Sequence, residues 1–169
     1  MDHQLGCCVV LMTRDSLRYR LPILVGAILF VPWTGMVLGE KPLWLFGNLG
    51  IYVLAGLTLA GISFAWWARI HLGRFWSNAI THKEGHRVIE TGPYGLVRHP
   101  IYTGLIAGML TTGVAVGTVT AILGAVLISL GMWQKARMEE GFLTAELGAD
   151  AYGSYCRRVP MLLPFFPPS

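Results

Sequence analysis

The sequence predicts an all-α membrane fold, a polytopic bundle of about four transmembrane helices. Three observations carry that expectation. Hydrophobic residues make up 54% of the 169-residue chain and charged residues only 13%, where a soluble domain carries about 25% charge. Long uncharged runs recur along the chain. The basic residues are placed lopsidedly between those runs.

Leu21 to Leu38 is an uncharged run of 18, Leu43 to Trp67 one of 25, and Ile101 to Trp133 one of 33. A helix rises about 1.5 Å per residue, so roughly 20 apolar residues cross about 30 Å of hydrocarbon. The first run suffices for one crossing and the second crosses with some tilt. The third is too long for one. Val116-Gly117-Thr118 is the natural break, predicting a tight hairpin of helices at 101–115 and 118–137.

Of thirteen Lys and Arg residues, Lys41 alone lies between the first two runs, and the other twelve lie in 1–20, 68–100 and 134–169. Four crossings put those twelve on one face, the pattern of cytoplasmic positive charge. Both termini and the 68–100 segment are therefore expected in the cytoplasm. The net charge of +4 follows from topology. No basic stripe with interleaved aromatics accompanies it, so nucleic acid is not an expected partner.

The domains follow in order. Residues 1–20 are expected as a polar cytoplasmic tail, and 21–67 as a first transmembrane hairpin turning at Gly39–Pro42. Residues 68–169 form a second region containing the 101–137 hairpin and a C-terminal cytoplasmic helix and tail. Arg14, Arg18 and Arg20 precede the first run as in a signal peptide, but that run contains Pro22, Pro32 and Trp33 and lacks a small-residue cleavage site. It reads as a retained span. Cys7, Cys8 and Cys156 include no CxxC pair, which argues against structural zinc; no metal site is expected. Cys7-Cys8 is a weak palmitoylation signal. Trp66, Trp67 and Trp76 suit an interfacial belt. Gly104-x-x-x-Gly108 and Gly113-x-x-x-Gly117 are spaced for close helix–helix contact.

The chemistry concentrates in residues 91–104, TGPYGLVRHPIYTG. Gly92-Pro93 marks a turn. Pro100 suits the first position of a helix, where its missing N–H costs nothing. Arg98 and His99 then sit at a helix N-terminus, where unpaired N–H groups and the dipole favour anions. Tyr94 and Tyr102 add aromatic faces with hydroxyl handles. This is half of a pocket for a flat anionic group, or equally a proline-started helix with basic residues at the membrane surface. The other half would be Glu139-Glu140 at the end of the other hairpin arm. Glu139 can instead pair with Lys135 on one helix face, and Lys135 and Arg137 can anchor at lipid headgroups.

The joint pattern GPY-x-x-VRHP-x-Y-x-G, a hairpin, EE-x-x-L and Y-x-x-Y-x-x-x-VP resembles the isoprenylcysteine carboxyl methyltransferase and phospholipid methyltransferase family. The resemblance spans roughly residues 66–164 and includes Trp67, Arg69 and Leu72-Gly73-Arg74 upstream. It implies an integral membrane enzyme using S-adenosyl-L-methionine, with a cytoplasmic cofactor pocket built from a turn and helix ends. No GxGxxG after a strand competes with that. The resemblance implies cofactor contacts at His86, Arg87, Val88 and Ile89, at Tyr94, at His99, Pro100, Ile101 and Tyr102, and at Glu139 with Glu140. In the prenylcysteine branch an arginine before the glutamates holds the substrate carboxylate. Lys135 stands at that position here, with Arg137 two residues on, and lysine lacks arginine's bidentate fork. Lys135, Arg137 and Arg98 are the candidates for orienting the acceptor.

The implied partner is a lipophilic small molecule or prenylated substrate entering from the lipid bilayer. A carboxylate acceptor needs alignment and partial desolvation rather than a base. An aminophospholipid headgroup would need to lose a proton, with His99 or Glu140 as base. A membrane scaffold using its GxxxG faces, without catalysis, is the reading from another class. Oligomeric state is not legible.

Overall fold

The computed structural model describes residues 2–73 and 89–165, which are mostly helical with no strand among them. The helices are α1 (Asp2–Phe30), α2 (Pro32–Val37), α3 (Asn48–Leu72), α4 (Pro100–Val116), α5 (Val119–Leu147) and α6 (Ala149–Cys156), with a short 3-10 turn at Gly92–Gly95 before α4. Asn48–Leu72 and Val119–Ala145 are long and apolar enough to cross a membrane. α3, at 25 residues, spans about 37 Å, and its apolar side chains are nearly all exposed. In water that surface would be costly; in hydrocarbon it is the expected exterior.

Two compact units divide the chain, residues 1–54 with 109–135, and residues 55–108 with 136–169. In the first unit, the expected polar tail is helical, because α1 begins at Asp2. The expected span 21–38 is not one helix. It breaks at Val31, whose backbone is extended (φ −65°, ψ 127°), because a residue preceding proline is pushed out of the α region. α2 ends where Gly39 takes φ +66° and Glu40 N–H bonds the Gly35 carbonyl (2.9 Å), a left-handed stop that glycine makes cheaply.

The second run begins its helix at Asn48 rather than Leu43, because residues 40–44 are used elsewhere. Leu43 N–H donates to the Gly117 carbonyl (2.8 Å), and Trp44 Nε1–H donates to the Val114 carbonyl (2.9 Å). Glu40 Oε2 accepts from Thr120 N–H (3.2 Å) and Oγ1–H (2.9 Å), capping the N-terminus of α5 with a negative charge. The hairpin break falls where expected: Gly117 has φ +72° and α5 starts two residues later. α1 packs on α5 backbone to backbone, since a Cβ on Gly124 would sit 2.6 Å from Phe30 N and one on Gly26 would sit 2.8 Å from the Gly124 carbonyl oxygen. Gly113 meets Ala125 and Ala121, so this GxxxG serves as half contact and half turn.

In the second unit, Gly104 of the other GxxxG lies against Gly61 and Ala65 of α3. A second core gathers Tyr152, Tyr155 and Val159, with Leu143 and Cys156 packed against them. α5 runs on past the hairpin arm to Leu147, in keeping with the expected cytoplasmic helix, so Glu139 and Glu140 lie inside a helix. Helical geometry fixes their direction, which a frayed end would not.

Candidate active site

The geometry of the 91–103 stretch and its partners belongs to the second unit. The 91–99 turn is closely packed. Gly92 takes φ +60°, and a Cβ there would sit 2.8 Å from the His71 ring. Tyr94, Leu96 and Val97 N–H groups close the turn onto the Thr91 and Pro93 carbonyls. Pro93, Val97 and Pro100 are fully buried. His71, at the end of α3, holds Thr91 Oγ1 through Nε2 (2.9 Å) and stacks on Tyr94 (centroids 6.4 Å, planes 26°).

Arg98 is where the turn meets α5. Its side chain is 1% exposed. Nε–H donates to Glu140 Oε1 (2.7 Å) and Nη2–H to Oε2 (3.3 Å), a two-point pairing of fork and carboxylate. Nη1–H groups donate to the carbonyls of Cys156 (2.8 Å), the last residue of α6, and of Val159 (3.0 Å), just beyond it. Four of the five guanidinium N–H donors are thus used on the protein itself. These four donors face the protein, so an acceptor held by Arg98 would meet at most the remaining Nη2–H.

The backbone leading into α4 is held by the same segment. Arg98 N–H donates to the Pro160 carbonyl (2.9 Å) and His99 N–H to the Met161 carbonyl (3.1 Å). Thr103 Oγ1–H reaches the Leu162 carbonyl (2.7 Å), and Tyr155 O–H the Tyr94 carbonyl (2.7 Å). The segment after α6 lies along the turn and takes the N–H groups of Arg98 and His99, the two residues just before α4.

Beside this framework, Tyr102 O–H donates to Glu139 Oε1 (2.7 Å), and the Tyr102 ring stacks on buried His99 (centroids 5.7 Å, planes 19°). His99 Nδ1 stands 3.7 Å from Glu139 Oε2, and Nε2 stands 3.3 Å from Glu140 Oε1. The second contact is within ion-pair range but is not aligned as a hydrogen bond. The Glu139 and Glu140 side chains remain 24% and 19% exposed. Burial pushes the Tyr94 phenol well above its ordinary range, helped by Glu139 and opposed by Arg69; buried Tyr152 and Tyr155 are likewise pushed up. These phenols stay neutral donors at any physiological pH.

The structure therefore gathers Tyr94, Arg98, His99, Pro100, Tyr102, Glu139 and Glu140. Ile101 and Ile89 are half-buried nearby in sequence. His86, Arg87 and Val88 lie outside the described residues. Lys135 belongs to the first unit, its ammonium 5.9 Å over the Tyr19 ring, and Arg137 is exposed on α5. Reading the sequence missed His71 and the carbonyls after Tyr155. The signal for His71 was an ionisable residue at the end of an apolar run. Backbone carbonyls leave none.

Fold and site define a helical membrane protein whose polar residues converge on one proline-started helix end. The model of the isoprenylcysteine carboxyl methyltransferase family matches residues 54–145, more than half of the chain, and the chain belongs to that family. It is 27% identical over 153 residues to protein-S-isoprenylcysteine O-methyltransferase B of Arabidopsis thaliana, covering 89% of this chain and 75% of that one. It is 31% identical over 106 residues to the protein-S-isoprenylcysteine O-methyltransferase of Schizosaccharomyces pombe, covering 59% and 43%. It is also 30% identical over 115 residues to the cobalt-zinc-cadmium resistance protein CzcN of Cupriavidus metallidurans, covering 66% and 50%. The matches thus span three quarters of the Arabidopsis protein and half or less of the other two.

Proposed function

We propose that this chain is an S-adenosyl-L-methionine-dependent methyltransferase of the membrane, esterifying the carboxylate of an isoprenylcysteine or a similar lipophilic acceptor. The observation that carries it is the Glu139–Tyr102–His99 arrangement. A partly exposed carboxylate is fixed by a phenol at 2.7 Å next to two stacked rings. That donor set fits the cofactor chemically. Glu139 can accept from ribose hydroxyls or an ammonium group, and the ring faces suit a flat base or a sulfonium. Bound there, the cofactor supplies an activated methyl group.

The residues of this chain bind and orient. Tyr102 and His99 fix the direction of the Glu139 carboxylate, and Glu140 is held back by Arg98. A carboxylate acceptor reacts without a general base, so alignment and exclusion of water are the protein's work. Lys135 and Arg137 remain the proposed cations for the acceptor. The proposed arrangement is multi-pass, with four crossings and with the site and both termini cytoplasmic, since that places twelve of thirteen Lys and Arg residues on one face.

The test is purified protein in lipid nanodiscs with methyl-labelled cofactor and prenylated cysteine. A product that releases labelled methanol in base supports the ester reading. A base-stable product refutes it in favour of an amine acceptor. Absence of cofactor binding refutes the enzyme reading altogether.

A further inference from the structure

Residues 152–162 lie beyond the part of the chain matched by the family model, yet they supply five carbonyl acceptors to the RHP turn and the start of α4. Cys156 and Val159 hold the Arg98 fork, Pro160 and Met161 hold the Arg98 and His99 amides, and Leu162 holds Thr103 Oγ1. Tyr155 returns a bond from the same segment to the Tyr94 carbonyl. Every one of these partners lies within 94–103, the stretch that carries Tyr94, His99 and Tyr102. None of the six contacts places a side chain of the segment toward the exposed Glu139 carboxylate. The segment is anchored by its own apolar cluster of Tyr152, Tyr155 and Val159, so it has a fixed place from which to hold the turn.

Arg98 links this segment to α5, because the same guanidinium that grips the two carbonyls also forks onto Glu140. Glu140 is covalently next to Glu139. A displacement of the segment therefore reaches Glu139 by two routes: through Arg98 and Glu140 along α5, and through the His99 ring that faces both carboxylates.

We propose that residues 152–162 are a positioning strap for the ligand site and that Arg98 is the positioning residue through which the strap sets the Glu139 carboxylate. This rests on the cofactor reading of that site. Arg98 touches no ligand in this scheme; it transmits the position of the strap. Lysine cannot substitute, since one ammonium cannot span two carbonyls and both carboxylate oxygens.

The experiment has two arms on the full chain in nanodiscs. Amide hydrogen exchange read over residues 97–103 reports the strap without any ligand. Calorimetry with S-adenosyl-L-methionine reports the site. Tyr155→Phe and Arg98→Lys should each speed exchange over 97–103 about tenfold while exchange over 104–116 is unchanged, because local opening is set by local contacts. Each should weaken cofactor binding about five- to tenfold with the kcat at saturation changed less than about twofold, the pattern of lost binding energy. Arg98→Ala should regain affinity when guanidinium ion is added and not when ammonium is added, which a general loss of folding would not reproduce. Faster exchange with unchanged affinity overturns the proposal, and so does unchanged exchange in both variants. If the unaltered protein binds no cofactor, the reading of the site fails and the strap's role toward that ligand fails with it. The exchange arm identifies that case, because the turn still loosens in the variants.

Discussion

Arg98 and Glu140, 42 residues apart in the chain, meet through two parallel hydrogen bonds of 2.7 and 3.3 Å with the arginine side chain almost wholly buried. Removing one partner of such a pair leaves the other charge without compensation. Arg98→Met should therefore destabilise the protein by about 3–5 kcal/mol, and Arg98→Lys by less, because the charge survives without the fork. Urea unfolding in a mild detergent, followed by circular dichroism, measures both. A loss below about 1 kcal/mol for Arg98→Met would mean that the pair is solvated.

The glycine contacts divide sharply. A Cβ on Gly104 would lie 2.8 Å from Ala65 N and 2.9 Å from Ala65 Cβ, and α3 has no flexible side chain there to move aside. Gly104→Ala should cost about 1–3 kcal/mol, as overpacking does. Gly56, also helical, meets nothing within 4 Å, and Gly56→Ala should stabilise by about 0.5–1 kcal/mol through backbone entropy alone. Thermal scans of the two variants side by side should move in opposite directions.

High pH should open the second unit. Tyr94, Tyr152 and Tyr155 are all pushed above the ordinary phenol range, chiefly by burial. The folded state therefore holds these protons more tightly than the unfolded chain. Their contribution is fully present below the unfolded value of about 10 and is lost as pH climbs toward the folded values. Stability should be flat in this contribution up to about pH 9 and fall above about pH 10. Tyr152→Phe should shallow that decline. An unchanged slope in all three phenylalanine variants would assign the alkaline loss to other groups.

Glu40 tests the opposite end of the hairpin. Its carboxylate caps α5 through Thr120 N–H and Oγ1–H. Glu40→Ala should cost about 1 kcal/mol, the worth of an N-terminal cap, and leave cofactor affinity unchanged. A matching fall in affinity would show that this end is coupled to the site.

By itself the sequence determined the helical class and the hairpin break. Apolar runs of 25 and 33 residues leave the backbone no alternative in hydrocarbon but to satisfy itself in helices. Gly117 marked its own turn, because a positive φ is cheap only for glycine. RHP-x-Y and the double glutamate were legible as partners because a hairpin returns its ends to one neighbourhood. Only the tertiary structure decided what those residues face. Arg98 read as a cation facing a ligand, and four of its five donors meet Glu140 and two carbonyls. Residues 43–47 read as the start of a span, but part of that stretch bonds the α4–α5 turn. In each case the deciding partner is a backbone group or a residue far away in sequence. Hydropathy and spacing record what a side chain prefers. They do not record which distant carbonyl arrives to satisfy it.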